Sequence, residues 1–142
     1  ELTIPLPATA LYPISVGGYR TETETLSPFS GQGDQGCWGR VMLDLTAPAE
    51  AVRSAKAGGG YDVFTGTSMA APFVSGSAAL MMEWGIVQGN DLFLYGQRVK
   101  AFLCKGCLRS PFLRYPNPQW GYGRLNLCGT MNELVDHLER GL

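Results

Sequence analysis

Residues 67–84 constrain the fold more than any other stretch. Met69, Ala70, Ala71, Phe73, Val74, Ala78, Ala79, Leu80 and Met81 place apolar or small side chains on every face of a helix. A helix with no polar face has to be enclosed on all sides. Small residues at Ala70, Ala71, Ser75, Gly76 and Ala79 let neighbouring backbone come close. The pattern therefore predicts a helix running through the middle of a domain, with a sheet and flanking helices around it. The whole chain, 142 residues and 45% hydrophobic, is long enough for one such domain and too short for two.

Around this helix the periodicity switches to short strands. Residues 11–17 carry a β-rich core that Gly17-Gly18 should end; 41–46 form an apolar strand stopped by Pro48; and 61–65 follow the Gly58-Gly59-Gly60 turn as a third strand. Residues 27–39 are dense in Gly, Ser, Pro and Asp, which is loop chemistry. Downstream, 92–103 read as a second helix with Asn90 or Asp91 as N-cap, and 132–138 as a short amphipathic one with Leu134, Val135 and Leu138 on its buried side.

Several function classes fall away on composition. Eleven basic against twelve acidic side chains leave a net charge of -1 with no basic block to meet phosphates, so nucleic acid is not an expected partner. The longest apolar region, 69–84, is interrupted by Ser75, Gly76, Ser77 and Glu83, short of the about 18 continuous apolar residues of a membrane span. Of the four cysteines, Cys37, Cys104, Cys107 and Cys128, two form a CxxC, but no second pair accompanies it and the single histidine lies thirty residues beyond Cys107. That favours unpaired thiols over zinc or redox chemistry, and no metal site is expected.

The chemistry concentrates where a glycine-containing loop meets the apolar helix, at Gly66-Thr67-Ser68-Met69-Ala70-Ala71-Pro72. A serine in the first turn of a helix lies beside backbone NH groups that have no intrahelical acceptor, at the positive end of the helix dipole. Such NH groups stabilise the oxyanion formed when a hydroxyl attacks a carbonyl. Pro72 is expected in the first turn, where no donor is needed. On the residues alone, Thr67 or Ser68 could equally serve as an N-cap. Glycine is absent two residues after Ser68, which excludes a nucleophile elbow of the α/β-hydrolase kind.

The heptapeptide, followed by Val74, Gly76 and the alanine-rich helix, resembles the nucleophile motif of subtilisin-like serine proteases. The likeness spans nearly the whole chain: Ile4-Pro5 through 13–18 resemble a strand that usually reads vitVGa, 26–33 an FSs.G loop, and 43–48 with Ser54-Ala55 a pDl.APG segment in which Ala49 replaces the glycine. Residues 82–91, 115–117 and 120–125 are similar to clostridial members, the group that includes the Csp spore-germination proteases. Phe73 stands where a histidine usually follows the motif's proline, a change without consequence for the chemistry.

The resemblance implies an α/β fold: the C-terminal part of a doubly wound, mostly parallel sheet, with the buried central helix starting at the nucleophile. It implies that Ser68 attacks a peptide carbonyl, that the Ser68 backbone NH supplies half of an oxyanion hole, and that Phe64 either borders the leaving-group side of the site or packs in the core. The triad Asp and His and the oxyanion Asn should precede the serine by more than 67 residues, so residues 1–142 are expected to be an incomplete C-terminal portion of the catalytic domain, inactive alone and exposing core. His137, after the serine, is an ordinary surface residue on this reading; Asp34 lies in a loop, Asp44 belongs to the pDl.AP strand and Asp62 follows a glycine turn, so none is the triad acid. The expected partners are a peptide or protein substrate and the N-terminal part of the domain. No cofactor is expected, calcium being possible elsewhere in the parent, and the family points to a secreted or cell-envelope or spore-associated protein. A pseudoprotease with a binding role is the alternative, which the upstream sequence would decide.

Overall fold

The computed structural model describes residues 3–4, 8–33 and 41–141; Asp34, Cys37 and the remainder of the 27–39 loop beyond Gly33 lie outside them. Three strands, β1 (Val16–Arg20), β2 (Thr25–Leu26) and β3 (Leu45–Pro48), form a sheet in the order β2-β1-β3. β1 and β3 run parallel, in a register from Val16 opposite Leu45 to Tyr19 opposite Pro48, while β2 folds back antiparallel onto β1. Beyond β3, Thr46 bridges in parallel to Arg124, which extends the parallel core by one more segment. A separate antiparallel hairpin joins β4 (Val52–Ala55) to β5 (Tyr61–Phe64). The helices are α1 (Thr67–Met82), α2 (Gln97–Lys105) and α3 (Leu127–Arg140), so the fold is α/β.

The first strand corrects the expectation for 11–17. β1 runs through Gly17-Gly18 instead of ending there. Both glycines are required by close packing: a Cβ on Gly17 would stand 2.9 Å from Ser30 Oγ, and one on Gly18 2.5 Å from the Ala49 methyl. Residues 11–13 are held outside the sheet by α2, where Lys100 Nζ donates to the carbonyls of Leu11 and Pro13 and Gln97 to that of Tyr12. The 41–46 strand is likewise displaced, to Leu45–Pro48, and Pro48 closes it from within. At Asp44 a side chain reinforces the backbone pairing with Ser15: Asp44 NH donates to the Ser15 carbonyl at 3.0 Å, while its buried carboxylate accepts from Ser15 NH at 2.7 Å and pairs with Lys100 at 2.8 Å.

One stripe of α1, Ala70, Val74, Ser77 and Met81, is buried against β1 and β3 in the main core with Leu45, Ala47 and Leu103. The rest of its surface is exposed, with Phe73 and Leu80 (55% accessible) on one flank of the stripe and Met82 on the other. The helix is thus enclosed on one side only, which departs from the expectation of a helix enclosed on every face. By length and composition the 21 residues Thr67–Val87 would suffice to cross a membrane. A buried stripe seated on a sheet is also what the core helix of a globular domain provides.

The expected end at Trp84 gives way to a π-helical turn, Glu83–Val87, following Met82. The widening coincides with a close approach, since a Cβ on the buried Gly85 would stand 2.8 Å from Leu94 and 2.9 Å from the Asp91 carbonyl. Asn90 and Asp91 do not cap α2 as expected. Asn90 donates to the Trp84 carbonyl, while Asp91 accepts from Phe93 NH and pairs with Arg98 at 2.8 Å. These bonds hold 91–95 in a turn, and α2 starts only after Gly96, whose φ of 53° suits glycine. The last helix is twice the length anticipated. Asn126 caps it by accepting from Gly129 NH, and glycines in its first turn and at Gly106 allow α2 and α3 to touch, since a Cβ on Gly106 would stand 2.4 Å from Thr130 backbone.

Candidate active site

The β4–β5 hairpin leads straight into the loop before Ser68. Its turn, Gly58-Gly59-Gly60, has φ of 85°, 99° and 80°, a run open only to glycine. β5 ends at the half-buried Phe64, which pairs with Val52. Two bonds fasten the loop: Gly66 NH donates to the Ala49 carbonyl at 2.8 Å, and Ala51 NH to Thr65 Oγ1 at 3.1 Å. The Ala51 bond goes with a left-handed backbone there (φ 54°), so the turn after the pDl.AP segment is made at Ala51 while the Ala49 methyl covers Gly18.

α1 starts without a side-chain cap. Its N-cap is Gly66 (φ 153°, ψ 159°), so neither Thr67 nor Ser68 caps the helix. Met69 NH turns back to the Gly66 carbonyl at 2.9 Å. Thr67 and Ser68, the first two helical residues, have NH groups with no backbone acceptor among the described residues. Ser68 is exposed, and among the described residues its hydroxyl makes no hydrogen bond. An open hydroxyl and open NH groups at the positive end of a 16-residue helix form a site where an oxygen nucleophile and an oxyanion can share one turn.

Pro72 corrects a further expectation: it is the sixth helical residue, beyond the first turn. Lacking an NH, it leaves the Ser68 carbonyl without its i+4 donor, which loosens the helix at Ser68. Thr67 seats the turn on β1, its methyl 3.6 Å from where a Cβ on Gly18 would stand, with the half-exposed Phe29 at 3.7 Å from the same point. Phe29 carried no functional signal beyond the FSs.G likeness; only the fold brings it beside the turn at Thr67.

Among the described residues no base reaches Ser68. His137 is exposed on α3, its ring 5.4 Å from that of Phe102 in an edge-to-face contact. Asp44 is engaged by Ser15 and Lys100. Asp62 is exposed, and the NH of Val63, with Lys56 at 3.2 Å, holds its carboxyl below the usual range. Asp34 lies outside the described residues. No cluster of three metal-ligating side chains occurs among the described residues. Cys104, Cys107 and Cys128 are unpaired. Burial pushes the thiols of Cys104 and Cys107 up to about 12, so both stay protonated and neither offers a thiolate to a metal or a substrate.

The sequence profile of the Subtilase family matches residues 1–104, a span that takes in β1, β3, the hairpin and the whole turn at Ser68. The chain belongs to the subtilase family. The structure of the CspB protease of Clostridium perfringens superposes with a TM-score of 0.91 at 47% identity, over 94% of this chain and 29% of that one. The structure of the PatG macrocyclase in complex with peptide gives 0.72 at 27% identity, over 91% of this chain and 38% of that one. Among curated relatives, Subtilisin E of Bacillus subtilis is 36% identical over 93 residues, which are 63% of this chain and 22% of the relative. The chain thus spans well under half the length of these subtilases. These likenesses bear out the α/β expectation and the subtilisin-like reading of the heptapeptide.

Proposed function

We propose that Ser68 is the nucleophile of a serine endopeptidase and that residues 1–142 are the C-terminal portion of its catalytic domain. The reading rests on one observation above others: an exposed serine hydroxyl at an uncapped helix start, within a motif of the subtilase family. In the full-length parent a histidine, oriented by an aspartate, takes the Ser68 proton as Oγ attacks the peptide carbonyl. The negative oxygen is held by the Ser68 NH and an asparagine side chain. The tetrahedral species expels the amine, which receives the proton from the histidine. Water, activated by the same base, then hydrolyses the acyl-enzyme. No step calls for a cofactor. Phe64, half-buried at the end of β5, borders the leaving-group side.

The upstream part of the domain supplies the aspartate, histidine and asparagine, and it covers the outer face of α1 around Phe73 and Leu80. Without it Ser68 has no base, and an unassisted hydroxyl at neutral pH is a poor nucleophile. The substrate is a peptide or protein, and the parent acts outside the cytoplasm, in the cell envelope, the spore or the medium, as the family resemblance suggests. Retention of the serine favours this reading over a pseudoprotease.

A fluorophosphonate probe and casein hydrolysis test it. The intact parent should add the probe's mass at Ser68 and cleave casein, Ser68→Ala should lower turnover by roughly a million-fold, and the purified 142-residue chain should do neither. Unchanged turnover in Ser68→Ala, or serine-dependent cleavage by the 142-residue chain, would overturn it.

A further inference from the structure

The β4–β5 hairpin carries an exposed face that the chemistry at Ser68 does not use. Arg53 pairs with Val63 and Ala55 with Tyr61, so strand alternation puts these four side chains on one side. Tyr61 is 68% and Val63 59% accessible, an apolar strip where a solvated hairpin normally shows polar residues. The Arg53 guanidinium lies 4.9 Å over the Tyr61 ring. Among the described residues no carboxylate pairs with Arg53, although neighbouring cations are matched, Lys56 with Asp62 and Arg20 with Glu50. A guanidinium stacked on an aromatic face keeps its edge donors available to a carboxylate in bidentate geometry.

The position of this face is set by the nucleophile loop. The bonds from Gly66 NH to Ala49 and from Ala51 NH to Thr65 tie the hairpin's base to the residues just before Ser68. Val63 precedes Ser68 by five residues, at most about 18 Å of chain, and Arg53 lies one strand spacing of about 5 Å across from it. An extended substrate advances about 3.3 Å per residue, so Arg53 falls within about seven residues of the bond under attack.

We propose that this face, Arg53 with Tyr61 and Val63, is a docking strip for the leaving-group side of a polypeptide substrate that presents a carboxylate there, flanked by an apolar side chain. The proposal rests on the peptidase reading of Ser68 and on Phe64 bordering the leaving-group side. The guanidinium selects the carboxylate, and Tyr61 and Val63 receive the apolar neighbour two residues away on the same face of the extended peptide.

The test uses the full-length parent. Cleavage sites in denatured casein are mapped by mass spectrometry, and internally quenched peptides are built on the best site with Glu or Gln at each of the third to seventh leaving-side positions, and again on the acyl side. At one or two leaving-side positions Glu should be preferred over Gln by about three- to fivefold in kcat/KM, the size of one exposed ion pair, with the preference fading at high salt. Arg53→Glu should invert it, Arg53→Gln should abolish it, and turnover of a truncated peptide ending before these positions should stay unchanged in both, which also shows that the variants fold. Equal treatment of Glu and Gln by the wild type, a preference on the acyl side, or a ratio untouched in Arg53→Glu overturns the proposal while leaving the peptidase reading standing. If another part of the parent covers the strip, Tyr61→Ala lowers Tm and the ratio stays at one, which also overturns it. A parent that cleaves no casein site brings down both readings.

Discussion

α1 and α3 begin in opposite ways. At α3 the Asn126 side chain accepts from Gly129 NH, and the Thr130 hydroxyl, also reaching back, donates to the Asn126 carbonyl. At α1 the N-cap is a glycine with no side chain to offer, and the NH groups of Thr67 and Ser68 stay open. Both helices carry a nucleophilic atom at their second residue, Ser68 and Cys128, and both of these residues are exposed. Position and dipole therefore do not distinguish them. The difference lies in the cap: a helix start satisfied by its own side chains is finished structure, whereas one left unsatisfied keeps its donors for a ligand, at a cost in stability that the packed stripe beneath α1 offsets.

Three substitutions or titrations sharpen this contrast. At neutral pH the largest effect is expected at Gly66, whose φ of 153° lies in a region that side-chain-bearing residues avoid. Gly66→Ala should destabilise the parent by about 1–3 kcal/mol and lower kcat/KM with it, because strain released there turns the loop that carries Ser68. Equal Tm and equal activity in that variant would mean the uncapped start is not held by its glycine. A smaller effect belongs to Asn126→Ala, which should cost about 1 kcal/mol in urea unfolding and leave kcat/KM unchanged. A loss of activity without a loss of stability would break the distinction between the two helix starts.

The third concerns two buried thiols, Cys104 in α2 and Cys107 just beyond its end. Cys104 and Cys107 ionise near 9.0 when unfolded and at about 12 when buried. The raised value means that the folded protein holds protons which the unfolded chain releases. Their contribution is fully present below pH 9 and is lost as pH rises from there towards 12, each thiol adding at most about 1.4 kcal/mol per pH unit to the fall. Replacing both with alanine should flatten that alkaline decline in chemical denaturation, though at lower overall stability. An unchanged slope would show that burial does not hold the protons. At neutral pH a disulfide-exchange reagent should modify Cys128 and spare Cys104 and Cys107 until the protein unfolds.

Much of the turn at Ser68 was legible because its signal is local. Gly-Thr-Ser-Met-Ala-Ala-Pro announces a loop entering an apolar helix, and the helix start at Thr67 follows from glycine freedom and apolar periodicity alone. Where the reading went astray, a distant group had intervened. Gly17-Gly18 resembles a terminator until Ser30 and Ala49 are seen pressing on it. Asp91 has the chemistry of an N-cap until Arg98 takes its carboxylate. Arg53 and Tyr61 carried no motif at all, and strand pairing alone sets them together.

By itself, then, the sequence determined the family, the α/β class and the identity of the exposed serine, since each depends on residues within a few positions of one another. The tertiary structure decided how much of α1 is covered, which helix start remains open and which cations lack a carboxylate. Those properties depend on where other segments pack, and no periodicity along a single helix or strand encodes what lies across from it.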